Sequence, residues 1–327
     1  MISVVVPLFD EAGNVSELIG RITAIMDRLA PAHGGTYEIV AVNDGSRDGT
    51  LAALRALAGR HPQLVVIDLS RNFGHQIAAT AGLDAARGDA VVLMDGDLQD
   101  PPELIERFLE KWREGYDVVY ATRKTRRGES AFKLLTARIF YRMIRRLTNV
   151  SIPVDTGDFR LMSRRVVDAL AQTREKHRFL RGLVSWVGYR QIGIEYERDP
   201  RFSGETKYPV SKMLGFAVDG ITSFSEIPLR FATYLGFTVS TFAFVYIIVV
   251  LVRAVLGQNE PGYTSLMVVL LFLGGIILIS LGIIGEYLGR IYDQVKQRPL
   301  YLVSSVDRGA DASAAASAEA EPASISP

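Results

Sequence analysis

Ala90-Val91-Val92-Leu93-Met94-Asp95-Gly96-Asp97-Leu98-Gln99-Asp100 is an apolar strand that runs without interruption into three carboxylates. A strand apolar on both faces belongs inside a sheet covered by helices. Carboxylates just past its end sit where open α/β sheets bind their ligands. Working outward, Ile2–Val6, Glu38–Asn43, Val65–Leu69 and Asp117–Ala121 have the same β-branched, apolar character and read as further strands. Between them, Asn14–Leu29, Leu51–Ala58, Gln76–Ala86 and Glu103–Arg113 carry apolar residues at three-to-four spacing, and Pro101-Pro102 stands where a helix begins. The alternation predicts an α/β fold with a mostly parallel sheet flanked by helices.

Three strand ends should converge on one edge of that sheet: Pro7-Leu8-Phe9-Asp10-Glu11, Asn43-Asp44-Gly45-Ser46 and Asp95 to Asp100. Asp95 and Asp97, two residues apart with Gly96 between them, can face one small volume only when something positive lies there. A hard divalent cation such as Mg²⁺ or Mn²⁺ suits such oxygen donors and completes its shell with substrate phosphate. With no cysteine, the chain has no disulfide framework and no thiolate ligand or nucleophile. Its four histidines are scattered, without an i,i+4 pair, which argues against a histidine metal site. Neither a Gly-X-Gly-X-X-Gly turn after the first strand nor a Gly-X-X-X-X-Gly-Lys-Ser/Thr loop occurs, which argues against a dinucleotide enzyme or a P-loop nucleotidase. The formal net charge of +1 gives no global field for nucleic acid.

Apolar residues concentrate after Pro228. No charged residue lies between Arg230 and Arg253 or between Glu260 and Glu286. Each stretch exceeds the roughly 20 residues that cross a bilayer as a helix. A two-helix transmembrane hairpin over 228–290 is expected, joined near Gly257 to Gly262. Arg201, Lys207, Lys212 and Arg230 precede it and Arg290, Lys296 and Arg298 follow, so both termini should be cytoplasmic. The N-terminus begins a strand at once, without a signal-peptide pattern, which keeps residues 1–209 on the cytoplasmic side. Residues 131–147 place Phe132, Leu135, Ile139 and Met143 among Lys133, Arg138, Arg142 and Arg145, the pattern of a basic helix lying in an anionic headgroup layer. A juxtamembrane helix is expected over 210–227, and a cytoplasmic tail over 291–327, disordered after about 308. So small an anchor leaves room for a homo-oligomer.

In order along the chain, Pro7-Leu8-Phe9-Asp10-Glu11, Val42-Asn43-Asp44-Gly45-Ser46, Met94 to Glu103, Asp155-Thr156-Gly157-Asp158-Phe159-Arg160 and Arg201-Phe202-Ser203-Gly204-Glu205-Thr206-Lys207-Tyr208 precede the two apolar stretches. Together they resemble the polyprenyl-phosphate glycosyltransferases of glycosyltransferase family 2, the relatives of dolichyl-phosphate mannose synthase and of the bacterial undecaprenyl-phosphate glucosyltransferases. The resemblance covers nearly all of the chain except the tail. It implies a GT-A catalytic domain, a nucleotide-sugar donor such as UDP-glucose, a polyprenyl phosphate acceptor and a lipid bilayer as the setting. Phe9-Asp10 departs from the family's Tyr-Asn, keeping a ring that can stack on a base but losing the phenolic hydroxyl.

By this resemblance Pro7, Phe9, Glu11, Val42 and Asp44 hold the nucleoside, with Asp44 accepting hydrogen bonds from the base. Asp95 and Gly96 line the ribose-phosphate site, and Asp95, Asp97 and Gln99 take the metal. Arg123, Arg201 and Lys207 supply charge for the donor diphosphate and, with Arg160, for the acceptor phosphate. Asp158 positions the acceptor or a sugar hydroxyl. A polyprenyl phosphate is already an anionic nucleophile at neutral pH, since the second pKa of a phosphate monoester is about 6. Single displacement with inversion is therefore expected. A processive polysaccharide synthase would carry a Gln-X-X-Arg-Trp motif and more membrane helices, and this chain has neither. A non-enzymatic protein with a degenerate transferase domain is the remaining rival, and the intact acidic motifs count against it.

Overall fold

The structure, a computed structural model, describes residues 1–33, 35–123, 156–176, 178–196, 227–256 and 262–309. These fall into two compact units, one built from residues up to 196 together with 299–309, the other from 227–298.

The first unit alternates β1 (Ile2–Leu8), α1 (Val15–Leu29), β2 (Tyr37–Asn43), α2 (Thr50–Ala58), β3 (Leu64–Leu69), α3 (His75–Ala85), β4 (Ala90–Leu93), α4 (Leu104–Arg113) and β5 (Val118–Arg123). After 124–155 come β6 (Thr156–Ser163), α5 (Arg164–Gln172), α6 (Leu180–Trp186) and β7 (Gln191–Tyr196). All five strands and all four helices expected from the pattern over residues 1–123 are present, with ends shifted by one or two residues.

Among the described residues one sheet holds eight strands in the order β7-β5-β6-β4-β1-β2-β3-β8, where β8 is Val303–Arg308. β1 and β2 are buried along their whole lengths, as strands covered on both faces must be. The chain winds from β1 to β3 on one side, then crosses through α3 to place β4 on the other side of β1. That reversal opens a crevice at the carboxyl ends of β1 and β4, the usual ligand position in such sheets. β6 runs antiparallel between β4 and β5, with Leu93 opposite Arg160. Phe108 of α4 packs on Phe159 of β6 with ring centroids 4.8 Å apart. That contact fixes α4 over the region where the sheet changes direction.

The segment expected to be tail from residue 291 differs. A helix runs through it to Val295, and Val303–Arg308 forms β8, antiparallel to β3 at the sheet's edge. Arg55 Nε donates to Asp307 Oδ2 at 2.9 Å, the Tyr301 hydroxyl donates to Asp84 at 2.8 Å, and the Ser70 N–H reaches the Leu302 carbonyl at 2.9 Å. Sequence patterning missed this strand because β8 is largely exposed on both faces and carries no apolar alternation. The part of the tail expected to be disordered, the basic helix over 131–147 and nearly all of the juxtamembrane helix over 210–227 lie outside the described residues.

The second unit is a hairpin of α7 (Ile227–Val255) and α8 (Tyr263–Val295), which pack on each other. Among the described residues, Phe272–Val295 is long and apolar enough to cross a membrane, and Phe231–Tyr246 is a shorter apolar stretch. Their large side chains face outward: Phe242, Leu278 and Leu288 are all exposed. In a water-soluble domain so much exposed apolar surface would be a liability, whereas lipid accommodates it.

Candidate active site

Register builds the site. β4 and β6 pair Leu93 with Arg160, and extending that antiparallel register by two residues sets Asp95 opposite Asp158. His75, the first residue of α3, lies beside both, its Nε2 3.3 Å from Asp95 Oδ1 and 3.2 Å from Asp158 Oδ2. Candidate ligand atoms of His75, Asp95 and Asp158 all lie within 4.8 Å of one another, so this trio could hold a cation. Arg181 of α6 competes for the same place, donating from Nε to Asp158 Oδ1 at 2.7 Å.

The acidic turn presents a second donor set. Asp95, Asp97 and Gln99 are half-buried, while Gly96, Leu98 and Asp100 between and after them are buried. Leu98 achieves this by adopting φ 59°, a left-handed conformation that costs a leucine on the order of 1 kcal/mol or more. Within the turn the Gln99 N–H donates to Asp97 Oδ1 at 3.2 Å. At Gly96 a Cβ would meet Leu8 Cδ2 at 2.4 Å, so a larger residue there would have to displace the buried Leu8 side chain. Tyr196, at the end of β7, donates its hydroxyl to Asp100 and so holds the far end of the turn.

Charges in the site are strongly perturbed. Burial, reinforced by Asp158, Asp100 and Asp97, pushes the Asp95 carboxyl up to about 6 against the opposing pull of His75. Burial alone would lower His75, but the Asp158 hydrogen bond and the Asp95 charge outweigh it and carry the imidazole to about 9. Asp158 is buried too, yet the Arg181 guanidinium and His75 hold it well below the usual carboxylate range. Opposed shifts on neighbouring groups in a crevice are characteristic of functional sites.

Comparison with known proteins identifies the family. Residues 3–171 match the family model described as glycosyl transferase family 2, and residues 227–291 match that of the GtrB C-terminal hairpin. The chain belongs to glycosyltransferase family 2. Within this family, an uncharacterized glycosyltransferase of Synechocystis is 51% identical over 306 residues, covering 93% of this chain and 95% of that one. A prophage bactoprenol glucosyl transferase homolog of Escherichia coli is 42% identical over 308 residues, covering 94% and 99%. The bactoprenol glucosyl transferase of Shigella phage SfII is 42% identical over 309 residues, again covering 94% and 99%. The protein is thus a glycosyltransferase, and its hairpin and exposed apolar helix associate it with a membrane.

The other residues expected of a family 2 site fall in several places. Phe9 is 42% exposed at the end of β1 and free to stack. Asp10 after it takes φ 55°, a conformation that Asn and Asp both tolerate, so the exchange of Asn for Asp preserves the turn. Its carboxylate accepts the Arg47 N–H at 2.8 Å. Glu11 accepts from the Asn14 amide, while its own N–H donates to Thr50 Oγ1 at 2.9 Å. Pro7 and Val42 are cross-strand partners buried in the sheet. Asp44 is 2% exposed and accepts the N–H groups of Phe73 and Gly74, one at each oxygen, which holds the loop before α3. Arg160 is buried and donates to the carbonyls of Gly157 at 2.9 Å and Asp158 at 3.2 Å, a geometry that braces the start of β6. Arg123 ends β5, and Arg201 and Lys207 lie outside the described residues.

Sequence reasoning missed His75, Gln76 and Arg181. The first two follow directly on the loop after β3, so inspecting that strand end as the others were inspected would have found them. Arg181 carries no local signal, since only the docking of α6 brings it to Asp158.

Proposed function

We propose that this glycosyltransferase moves a glucosyl residue from UDP-glucose to undecaprenyl phosphate, with inversion, at the cytoplasmic face of the membrane. The observation that carries the reading is the meeting of the acidic turn with Asp158 at the β1/β4 crevice, in a chain that shares 42% identity with bactoprenol glucosyl transferases over 99% of their length.

In this reading a phosphate oxygen of the acceptor attacks C1 of the sugar from the face opposite the nucleoside diphosphate. The new C1–O bond forms as the bond from C1 to the diphosphate oxygen breaks, and the electron pair departs with UDP. The acceptor is already anionic near neutral pH, so no strong general base is needed. The harder task is electrostatic, because two anions must meet and the donor's diphosphate must leave carrying further negative charge. Pro7, Phe9, Glu11, Val42 and Asp44 hold the nucleoside, with Phe9 stacking on the base and Asp44 accepting hydrogen bonds from it. Asp95 and Gly96 line the ribose-phosphate region. The hard oxygen donors of Asp95, Asp97 and Gln99 fit Mg²⁺ or Mn²⁺, which would supply positive charge at the leaving diphosphate. Arg123, Arg201 and Lys207 attract the phosphates, Arg160 steadies the strand from which Asp158 projects, and Asp158 orients a sugar hydroxyl or the acceptor.

The setting completes the proposal. Two spans over 228–290 with cytoplasmic termini follow from the basic residues that flank them on one side. Membranes carrying the chain, given radiolabelled UDP-glucose and undecaprenyl phosphate, should yield labelled lipid. Bound but unreacted nucleotide, across UDP- and GDP-linked hexoses, would show a binding protein instead.

A further inference from the structure

Asp158 is met by side chains from two helices that share no sequence motif. Arg181 reaches Oδ1 at 2.7 Å, Gln76 Nε2 donates to Oδ2 at 3.2 Å, and His75 Nε2 lies 3.2 Å from that same oxygen. Gln76 also accepts, at Oε1, the N–H of Leu180 at 2.9 Å. Leu180 opens α6 and immediately precedes Arg181, so the first turns of α3 and α6 are tied together at the carboxylate they serve. The Asp158 side chain is 5% exposed and that of Arg181 26%.

Charge explains why such a clamp is needed. Asp95, Asp97 and Asp158 bring negative charge to the crevice, His75 lies between Asp95 and Asp158 and the buried Arg160 is 3.8 Å from Asp158, whereas both substrates of the proposed transfer are phosphate anions. Arg181, at 2.7 Å, is the nearest of the cations on Asp158, and without it the buried carboxylate would repel those anions more strongly through a low-dielectric medium.

We propose that Arg181 is a positioning residue for the transfer: seated by Gln76, it neutralises and orients Asp158 so that a nucleoside diphosphate can approach the acidic wall. The proposal rests on the functional reading above. It assigns Arg181 an effect through Asp158, distinct from a direct grip on phosphate.

A double-mutant cycle tests it on the full chain in lipid nanodiscs, reading the Kd for UDP in the presence of Mn²⁺ by calorimetry and transfer from UDP-glucose to undecaprenyl phosphate. R181Q should weaken UDP binding by about tenfold and slow transfer by about a hundredfold. In a D158N background, which has no carboxylate to neutralise, the same Arg181 exchange should change UDP binding by less than about threefold. R181K keeps the charge and should retain UDP binding while losing part of the turnover.

Equal weakening in both backgrounds overturns the proposal, since Arg181 would then hold the ligand itself. So does an R181Q protein with wild-type binding and turnover. If R181Q fails to fold, R181K decides: a folded R181K that has lost UDP binding overturns the proposal, and one that binds UDP but turns over more slowly supports it. A wild-type chain that binds UDP yet transfers no sugar removes the functional reading while the binding cycle still judges Arg181. A chain that binds no UDP overturns both.

Discussion

Asp44 and Gly74 are joined across the sheet edge: the Asp44 carboxylate, at the end of β2, accepts the Gly74 N–H at 2.9 Å and the Phe73 N–H at 2.7 Å. Because Gly74 immediately precedes α3, this contact sets where His75 and Gln76 emerge and hence how the Asp95–Asp158 cluster is held.

Asp44→Asn leaves one amide oxygen to serve two N–H groups. The orphaned donor should cost about 1–3 kcal/mol, seen as a lower Tm in thermal unfolding, with a raised KM for the nucleotide-sugar as α3 shifts. An unchanged Tm would show that the Asp44 hold on this loop is not needed.

Asp97→Ala should leave the fold intact, since Asp97 is half-buried in an open turn, yet abolish sugar transfer. Chelating divalent ions from the wild-type chain should have the same effect, reversed by adding Mn²⁺ or Mg²⁺. Full transfer in the presence of a chelator would remove the metal from the mechanism.

Asp117, at the start of β5, is buried and accepts from Ser163 Oγ at 3.0 Å and from Arg165, whose guanidinium holds the carboxyl below its ordinary range. A carboxyl depressed in the folded state stabilises above its unfolded pKa of about 3.9 and loses that contribution as pH falls through the folded value. Acid unfolding of wild type should therefore steepen below about pH 4, and Asp117→Asn should flatten that limb while lowering stability near neutrality by about 1–3 kcal/mol. Parallel acid limbs for the two proteins would contradict this.

A stop codon after Arg298 removes β8 and uncovers the edge of β3. Exposed N–H and C=O groups on an apolar edge strand invite pairing between molecules, so the truncated chain should aggregate on purification and unfold at a lower temperature. Asp307→Ala alone should do little, because the Arg55–Asp307 pair is largely solvent-exposed. Size-exclusion chromatography in detergent separates these outcomes.

Leu278 lies within the apolar span of α8 with 71% of its surface exposed. An arginine at mid-span costs about 2.5–3.5 kcal/mol on insertion. Leu278→Arg should therefore move protein from the membrane fraction to the soluble or aggregated fraction after carbonate extraction, whereas Leu278→Phe should not.

The sequence alone determined the alternating strands and helices up to residue 123, the convergence of three acidic strand ends and the apolar hairpin. Each is written in local periodicity or in the chemistry of a few adjacent residues, which hydrophobic burial turns directly into structure. Only the tertiary structure decided that β6 runs antiparallel and so sets Asp158 opposite Asp95, that Asp44 spends its oxygens on a loop, that Arg181 neutralises Asp158, and that β8 closes the edge of β3. Those outcomes join residues 23 to 252 positions apart. They depend on which way a strand enters the sheet and on which helix docks beside it, and no local pattern encodes either.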